Sequence, residues 1–253
     1  MMEIDINCDM GESYGNYQIG NDEAIFPYIT SSNIACGFHG GDPLHIEKTI
    51  KNAIAHNVQV GAHPGYPDLA GFGRRRMHIV SDELRAIVKY QVATLKALTE
   101  SLGGKMTYVK PHGALYNTAA DNEVDAVAIA KAVHEIDPEL ILMGMSGSCT
   151  EEAASDRNLR FVTEAFADRR YESNGRLMSR NKEGSVIQSA EQAAEQVLSI
   201  VLQQQVMTVD NDAVKLRAES ICIHGDNPIA IDILKAIDSK LKANNIAKKP
   251  FTK

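Results

Sequence analysis

Two periods of hydrophobicity alternate along this chain. Glu3-Ile4-Asp5-Ile6-Asn7 switches between apolar and polar residues, as a half-buried strand does, and runs into Cys8-Asp9-Met10-Gly11-Glu12. A loop rich in Gly, Asn and Tyr and a short helix over 22–28 come next, then a strand over 32–36 ending in Gly37-Phe38-His39-Gly40-Gly41-Asp42. Asp42-Pro43 is a helix start, a capping carboxylate before proline at the first helical position, and Ile46, Ile50, Ala53 and Ile54 continue the stripe to Asn57. Val58-Gln59-Val60 predicts a third strand, followed by a loop from Gly61 to Arg76 with glycines at 61, 65, 71 and 73. Ser81 is placed to cap a long helix whose buried face is Leu84, Ile87, Val88, Leu95, Leu98 and Leu102, stopped by Gly103-Gly104.

The second half repeats the scheme. Strands are expected over 107–112, 140–143 and 160–166, and Ile221-Cys222-Ile223-His224 forms a seventh. Helices are expected over 124–135 and 190–204, with a last one starting at Asn227-Pro228. Residues 172–184 read as a long polar loop over one face, and 207–209 with 214–216 as a surface hairpin. Alternating strands and helices argue a parallel sheet covered by helices. Seven strands in a chain of 253 residues fit a parallel (β/α) barrel one unit short of the eightfold form. No linker interrupts the pattern, so residues 1–253 read as one barrel domain, a motif-bearing core over 3–243 and a tail over 244–253 without a motif. In a barrel, Asp9, His39, His63, His112, Asp168 and His224 fall just past strand C-termini and share one rim. An open doubly wound sheet is the alternative, but it would concentrate ligand residues at one switch point.

Composition narrows the function. Hydrophobic residues make up 44% and charged ones 23%, ordinary for a globular protein, and the net charge of −7 disfavours a nucleic-acid surface. No apolar run reaches the length of a membrane span, so no membrane partner is expected, and Met1–Asp5 carries acid where a signal peptide carries base. Four scattered cysteines without a C-x-x-C pair read as reduced thiols, and the expected location is cytoplasmic.

There is no P-loop, no dinucleotide fingerprint, no H-E-x-x-H and no G-x-S-x-G. What stands out is joint placement: His39, His63, His112 and His224 each close a strand beside glycine. With Asp9 they suit general acid–base work or a divalent metal, for which Asp9, His39, His63 and His112 are the candidate ligands. His45, His56, His78 and His134 read as structural. Asn7 and Lys110 point to the same mouth, and Arg74 and Arg75 offer forked donors to an anion, with Arg76 facing solvent. Asp168-Arg169-Arg170 reads either as part of the site or as an internal ion-pair cluster.

Long stretches of the chain resemble the LamB/YcsF family, that of the bacterial 5-oxoprolinase (ATP-hydrolysing) A subunits. They are Asp5–Glu12, Asn33–Asp42, Gly61–Asp68, Gly71–Arg75, Val109–Asn117, Glu164–Tyr171 and Cys222–Pro228. The resemblance implies a seven-stranded barrel of the glycoside hydrolase/deacetylase type. It also implies ATP-dependent opening of the lactam 5-oxoproline to L-glutamate in company with subunits B and C. On that reading Asp9, His39, His63 and His112 are catalytic, and Asn7, Glu12, Arg74, Arg75, Lys110, Asp168 and His224 hold substrate or phosphate.

The chemistry is consistent with those residues. A five-membered lactam is an unstrained amide, and phosphorylating its oxygen would make it a good electrophile. A site for that reaction must hold a carboxylate, accept phosphoryl oxygens and activate water. Without a P-loop, nucleotide would bind here in an unfamiliar way or on a partner. The rival readings are a metal-dependent deacetylase-like hydrolase and a non-catalytic subunit that binds 5-oxoproline.

Overall fold

The structure, a computed structural model, describes residues 2–252. Its strands are β1 (Met2–Met10), β2 (Ser31–Ala35), β3 (Gln59–His63), β4 (Met106–Val109), β5 (Ile141–Met145), β6 (Phe161–Phe166), β7 (Gln205–Met207), β8 (Ala213–Lys215), β9 (Ser220–His224) and β10 (Ile246–Lys248). The α-helices are α1 (Asp22–Ile25), α2 (Pro43–Ala55), α3 (Ser81–Ser101), α4 (Gly113–Asp121), α5 (Glu123–Ile136), α6 (Cys149–Ser155), α7 (Ala190–Gln203) and α8 (Ala230–Ala243). Strands β1 to β6 and then β9 pair in parallel, and β9 returns to β1, closing the seven-stranded barrel that the alternation predicts. β7 and β8 form the expected antiparallel hairpin.

The alternation of β1 separates the two environments. Ile4, Ile6, Cys8 and Met10 join the apolar layer under the helices. Asp5, Asn7 and Asp9 point into the barrel, where Asn7 bonds Ser220 Oγ at 2.7 Å and both Asn7 and Asp9 accept from Asn33 at 2.7 Å. Tyr108 fills the lower barrel and donates to Asn33 Oδ1 at 2.7 Å. Its ring explains Gly61 opposite: a Cβ there would lie 2.2 Å from the Tyr108 ring. Residues 244–252, expected only as part of a tail, extend this floor. β10 pairs in parallel with the start of β1, and Phe251 meets Tyr108 edge-on at 5.1 Å.

Several local expectations shift. Asp42 caps α2 as predicted, accepting from the amides of Leu44 and His45. Ser81 does not cap α3: Val80 holds that position with no side-chain bond, and Ser81 is the first helical residue. α8 begins at Ala230 because Asn227 first closes a turn on the Ile229 amide. α4 and α6 were not foreseen. Each is short, and the buried residues of α4, such as Leu115, Tyr116 and Ala119, form a stripe too brief to stand out in sequence. Residues 172–184 contain no helix, and residues 176–181 of this loop line the barrel mouth.

Candidate active site

Each of the rim residues expected from sequence sits at a strand's C-terminal end for a local reason. Asp9 lies on β1 opposite Asn33 and His224. His63 ends β3, and His112 precedes the first residue of α4. The loops after β2 and β3 supply His39 and Gly73. Gly73 has φ +62°, and a Cβ on it would meet both His39 and His112 at 2.8 Å, so glycine is what lets that loop cross the histidines.

The three histidines form one buried group with Asp9, and Glu12 joins them. His39 and His112 stack with centroids 3.7 Å apart, and His63 meets both rings edge-on. Glu12 Oε1 lies 3.2 Å from His39 Nε2 and 3.5 Å from His112 Nδ1, and Asp9 Oδ1 lies 3.4 Å from His63 Nε2. Burial, and then the neighbouring histidines, hold His39 and His112 well below the usual histidine range. Burial and Asp9 push Glu12 well above the carboxylate range. For Asp9 burial works the other way, but His63 and Lys110 outweigh it and hold the carboxyl well below its usual value.

This donor set fits a divalent metal. His63 Nδ1 meets the Lys110 carbonyl at 2.7 Å and His112 Nε2 meets the Phe72 carbonyl at 2.9 Å. A carbonyl accepts only, so both of those nitrogens carry hydrogen. The nitrogens that remain, His63 Nε2 and His112 Nδ1, face each other at 3.0 Å and must share a proton or a cation. His39 Nδ1 is buried without a partner among the described residues. Ligand atoms of Glu12, His39, His63 and His112 lie within 4.8 Å of one another, whereas Asp9 groups with Cys222 and His224. Glu12, expected to hold substrate or phosphate, thus lies with the histidines. Carbonyl-oriented neutral histidines with a carboxylate are the usual environment of zinc.

Below this cluster Lys110 is almost fully enclosed. Its Nζ is 3.0 Å from Asp9 Oδ1, 2.8 Å from Glu164 Oε1 and 3.1 Å from Cys222 Sγ. Burial opposes its charge, but Asp9 and the other neighbours hold the ammonium well above the usual lysine range. Glu164 was missed as a site residue. Its signal was a carboxylate inside the strand Phe161–Phe166, whose only other polar residue is Thr163. Asn7 supports this network from beneath, with its oxygen 3.3 Å from Lys110 Nζ, and does not line the cavity.

Across the mouth His224 Nδ1 bonds Asp168 at 2.8 Å, Asn227 donates to the second Asp168 oxygen at 3.2 Å, and the imidazole lies flat on Phe166. Burial opposes the Asp168 charge, yet His224 outweighs it and keeps the carboxyl low. The ion-pair cluster envisaged for 168–170 does not form: Arg169 donates to the carbonyls of Ser185 and Met178, and Arg170 is exposed. Arg74 pairs with Asp226 and lies over Phe72. Arg75 pairs with Asp68 and does not line the cavity, while Arg76 is exposed to solvent, as expected, at the cavity's edge. Asp9, His63, Lys110, His112 and His224 border one cavity of about 380 Å³, and Arg169, Arg176 and Arg180 complete its rim.

A closed seven-stranded β/α barrel with buried histidines and carboxylates at its strand ends defines a protein class built for chemistry at one rim. Within that class, the chain belongs to the LamB/YcsF family, whose model matches residues 4–253. It is 47% identical over 248 residues to a Bacillus cereus protein named as the A subunit of 5-oxoprolinase, covering 98% of each chain. A protein of the same name from Acinetobacter baumannii is 46% identical over 250 residues, covering 99% of this chain and 98% of its own. The crystal structure of a lactam utilization protein from Thermus thermophilus matches with TM-score 0.93 and 43% identity, covering 99% of this chain and all of that one. A peptidoglycan N-acetylglucosamine deacetylase domain from Eubacterium rectale shares the fold at TM-score 0.53 and 11% identity, covering 99% of this chain and 88% of the domain.

Proposed function

We propose that this chain is a cytoplasmic, single-domain hydrolase that opens 5-oxoproline to L-glutamate, driven by ATP, as the A subunit of a complex with subunits B and C. The names borne by relatives at 46–47% identity support the lactam and the subunit role. The observation that carries the chemistry is that two proton-transfer groups face each other across one small cavity. On one side stand Asp9 and His63, on the other the His224–Asp168 pair, with the Lys110 ammonium between.

In this reading Asp9 and His63 take a proton from the attacking water. Lys110 faces the oxygen on which negative charge develops, and His224, oriented by Asp168, donates a proton to the departing ring nitrogen. Arg74 and Arg76 at the rim hold the substrate carboxylate. Where a divalent ion is bound, Glu12, His39, His63 and His112 would hold it, leaving Asp9 as the base, and it would polarise the carbonyl and acidify water. Arg75, paired with Asp68, has no role in this scheme.

The donor set also suits a metal-dependent amide hydrolase acting without ATP, which is the second reading. The deciding experiment is a glutamate-release assay on 5-oxoproline, with the purified chain alone and with subunits B and C, each with and without ATP. ATP-dependent release only in the complex is expected. Release by the isolated chain without ATP would replace this reading with the second.

A further inference from the structure

The hydroxyl of Tyr116 is buried without a hydrogen-bond partner among the described residues, although its side chain lines the cavity. A buried tyrosine hydroxyl normally finds a partner, because leaving one unpaired costs free energy. The ring is held too firmly to seek one elsewhere. Tyr116 lies on α4, packed with Ala120, Met145, Phe166 and Cys222, and meets Phe166 edge-on at 5.8 Å. Burial, and then the Glu164 carboxylate, hold its proton well above the usual tyrosine range, so the group is a donor. Glu164 is close enough to act on that proton, but the contact falls outside hydrogen-bond geometry, and both Glu164 oxygens are likewise without hydrogen bonds.

Lys110 does not fill the donor role by itself. An ammonium has three hydrogens. Those of Lys110 go to Asp9 Oδ1 at 3.0 Å, Asn7 Oδ1 at 3.3 Å and Cys222 Sγ at 3.1 Å. Its charge acts on the cavity it lines, but a direct bond to a further oxygen would displace one of these. The Phe166 ring ties the neighbouring groups together: the His224 imidazole stacks on it at 5.4 Å, and Lys110 Nζ lies 5.4 Å from its centroid. A lactam ring holds its amide cis, so the carbonyl oxygen and the N–H share one edge. A donor for that oxygen and an acid for that nitrogen must therefore lie close together, and Tyr116 and His224 both contact Phe166.

We propose that Tyr116 is a further catalytic residue, whose hydroxyl donates a hydrogen bond to the carbonyl oxygen of the amide under attack while Lys110 contributes charge. The bond strengthens as that oxygen becomes negative. That the amide is 5-oxoproline rests on the ring-opening reading above; the unpaired donor does not.

Titration calorimetry on the full chain with 5-oxoproline and L-proline tests the contact, because L-proline keeps the ring and carboxylate and lacks the carbonyl. The wild type is expected to prefer 5-oxoproline. Tyr116→Phe should cut that preference by about fivefold, the scale of one hydrogen bond, and leave L-proline affinity unchanged. Tyr66→Phe removes another buried, unpartnered hydroxyl that does not line the cavity, and should leave the preference as it is. In the assembled complex Tyr116→Phe should lower kcat about a hundredfold, with KM rising by no more than about fivefold, as for a lost oxyanion donor. Its melting temperature should not fall, since an unpaired hydroxyl adds nothing to the fold. A wild type that binds 5-oxoproline no better than L-proline, a variant that keeps the full preference, or an unchanged kcat would each overturn the proposal. A lower melting temperature with the preference kept would assign the hydroxyl to Glu164 instead. Glutamate release by the wild-type complex is read separately. If it is absent while the calorimetric difference holds, the ring-opening reading fails and the donor stands.

Discussion

Asp9 meets His63, Lys110 and Asn33 at one carboxylate, so its charge ties the histidine cluster to the lysine network. Asp9→Asn keeps the shape and removes the charge. Turnover by the assembled complex should fall by about a hundredfold or more, the scale of a lost general base. The fold should persist, because Glu164 still pairs with Lys110; normal turnover with an unchanged melting curve would remove Asp9 from the chemistry. Deeper in the barrel, Asp5 has a different pH signature. Burial raises it to about 6 against the hydroxyl bonds of Ser220, Ser31 and Thr30. The native state therefore keeps this proton between about pH 4 and 6 while the unfolded chain, with an ordinary carboxyl, has lost it. Stability must then fall as pH rises through that window, by up to about 3 kcal/mol from this group. Denaturant titrations of wild type and Asp5→Asn across pH 4–7 should show the difference between them changing in that direction; a flat difference would rule it out.

At the scale of elements, the strands are held in register by what fills the barrel. Tyr108 on β4 occupies the space that Gly61 on β3 leaves open. Gly61→Ala should cost about 1–3 kcal/mol by overpacking, measured by urea unfolding. In a Tyr108→Leu background the same change should cost distinctly less, since the pair is coupled. Equal costs in both backgrounds would place the strain elsewhere. The loop over residues 172–184 shows the opposite principle. It has no regular structure, yet it brings Arg176 and Arg180 to the mouth, tied down by contacts such as that of Arg176 with Asp121 at 2.8 Å.

For the whole molecule, the barrel joins residues from Asp9 to His224 in one cavity. If the histidine group takes a divalent ion, binding must stabilise the native state, because the unfolded chain has no assembled site. Zinc added to chelator-treated protein at about a hundred times its Kd would add roughly 2.7 kcal/mol. A rise in melting temperature in wild type that is absent in His39→Ala is the expected result. An equal rise in both would place the ion outside this group.

Local chemistry was enough to predict much of this. Strand alternation, helix stripes and the Asp42-Pro43 start depend on near neighbours, so the seven barrel strands and their strand-end histidines were legible in the sequence. That Asp9, His39, His63 and His112 meet followed once a parallel barrel was inferred, because its strand ends must share a rim. What the sequence could not assign was pairing between side chains far apart in the chain. Glu12 turned to the histidines, Glu164 to Lys110, Asp168 to His224, and Arg75 to Asp68 rather than to the cavity. Arg169 read as a member of a charge run and became a buried cation facing the mouth. Backbone periodicity fixes which face a residue lies on. Which partner its charge finds depends on distances and desolvation that exist only after the barrel closes.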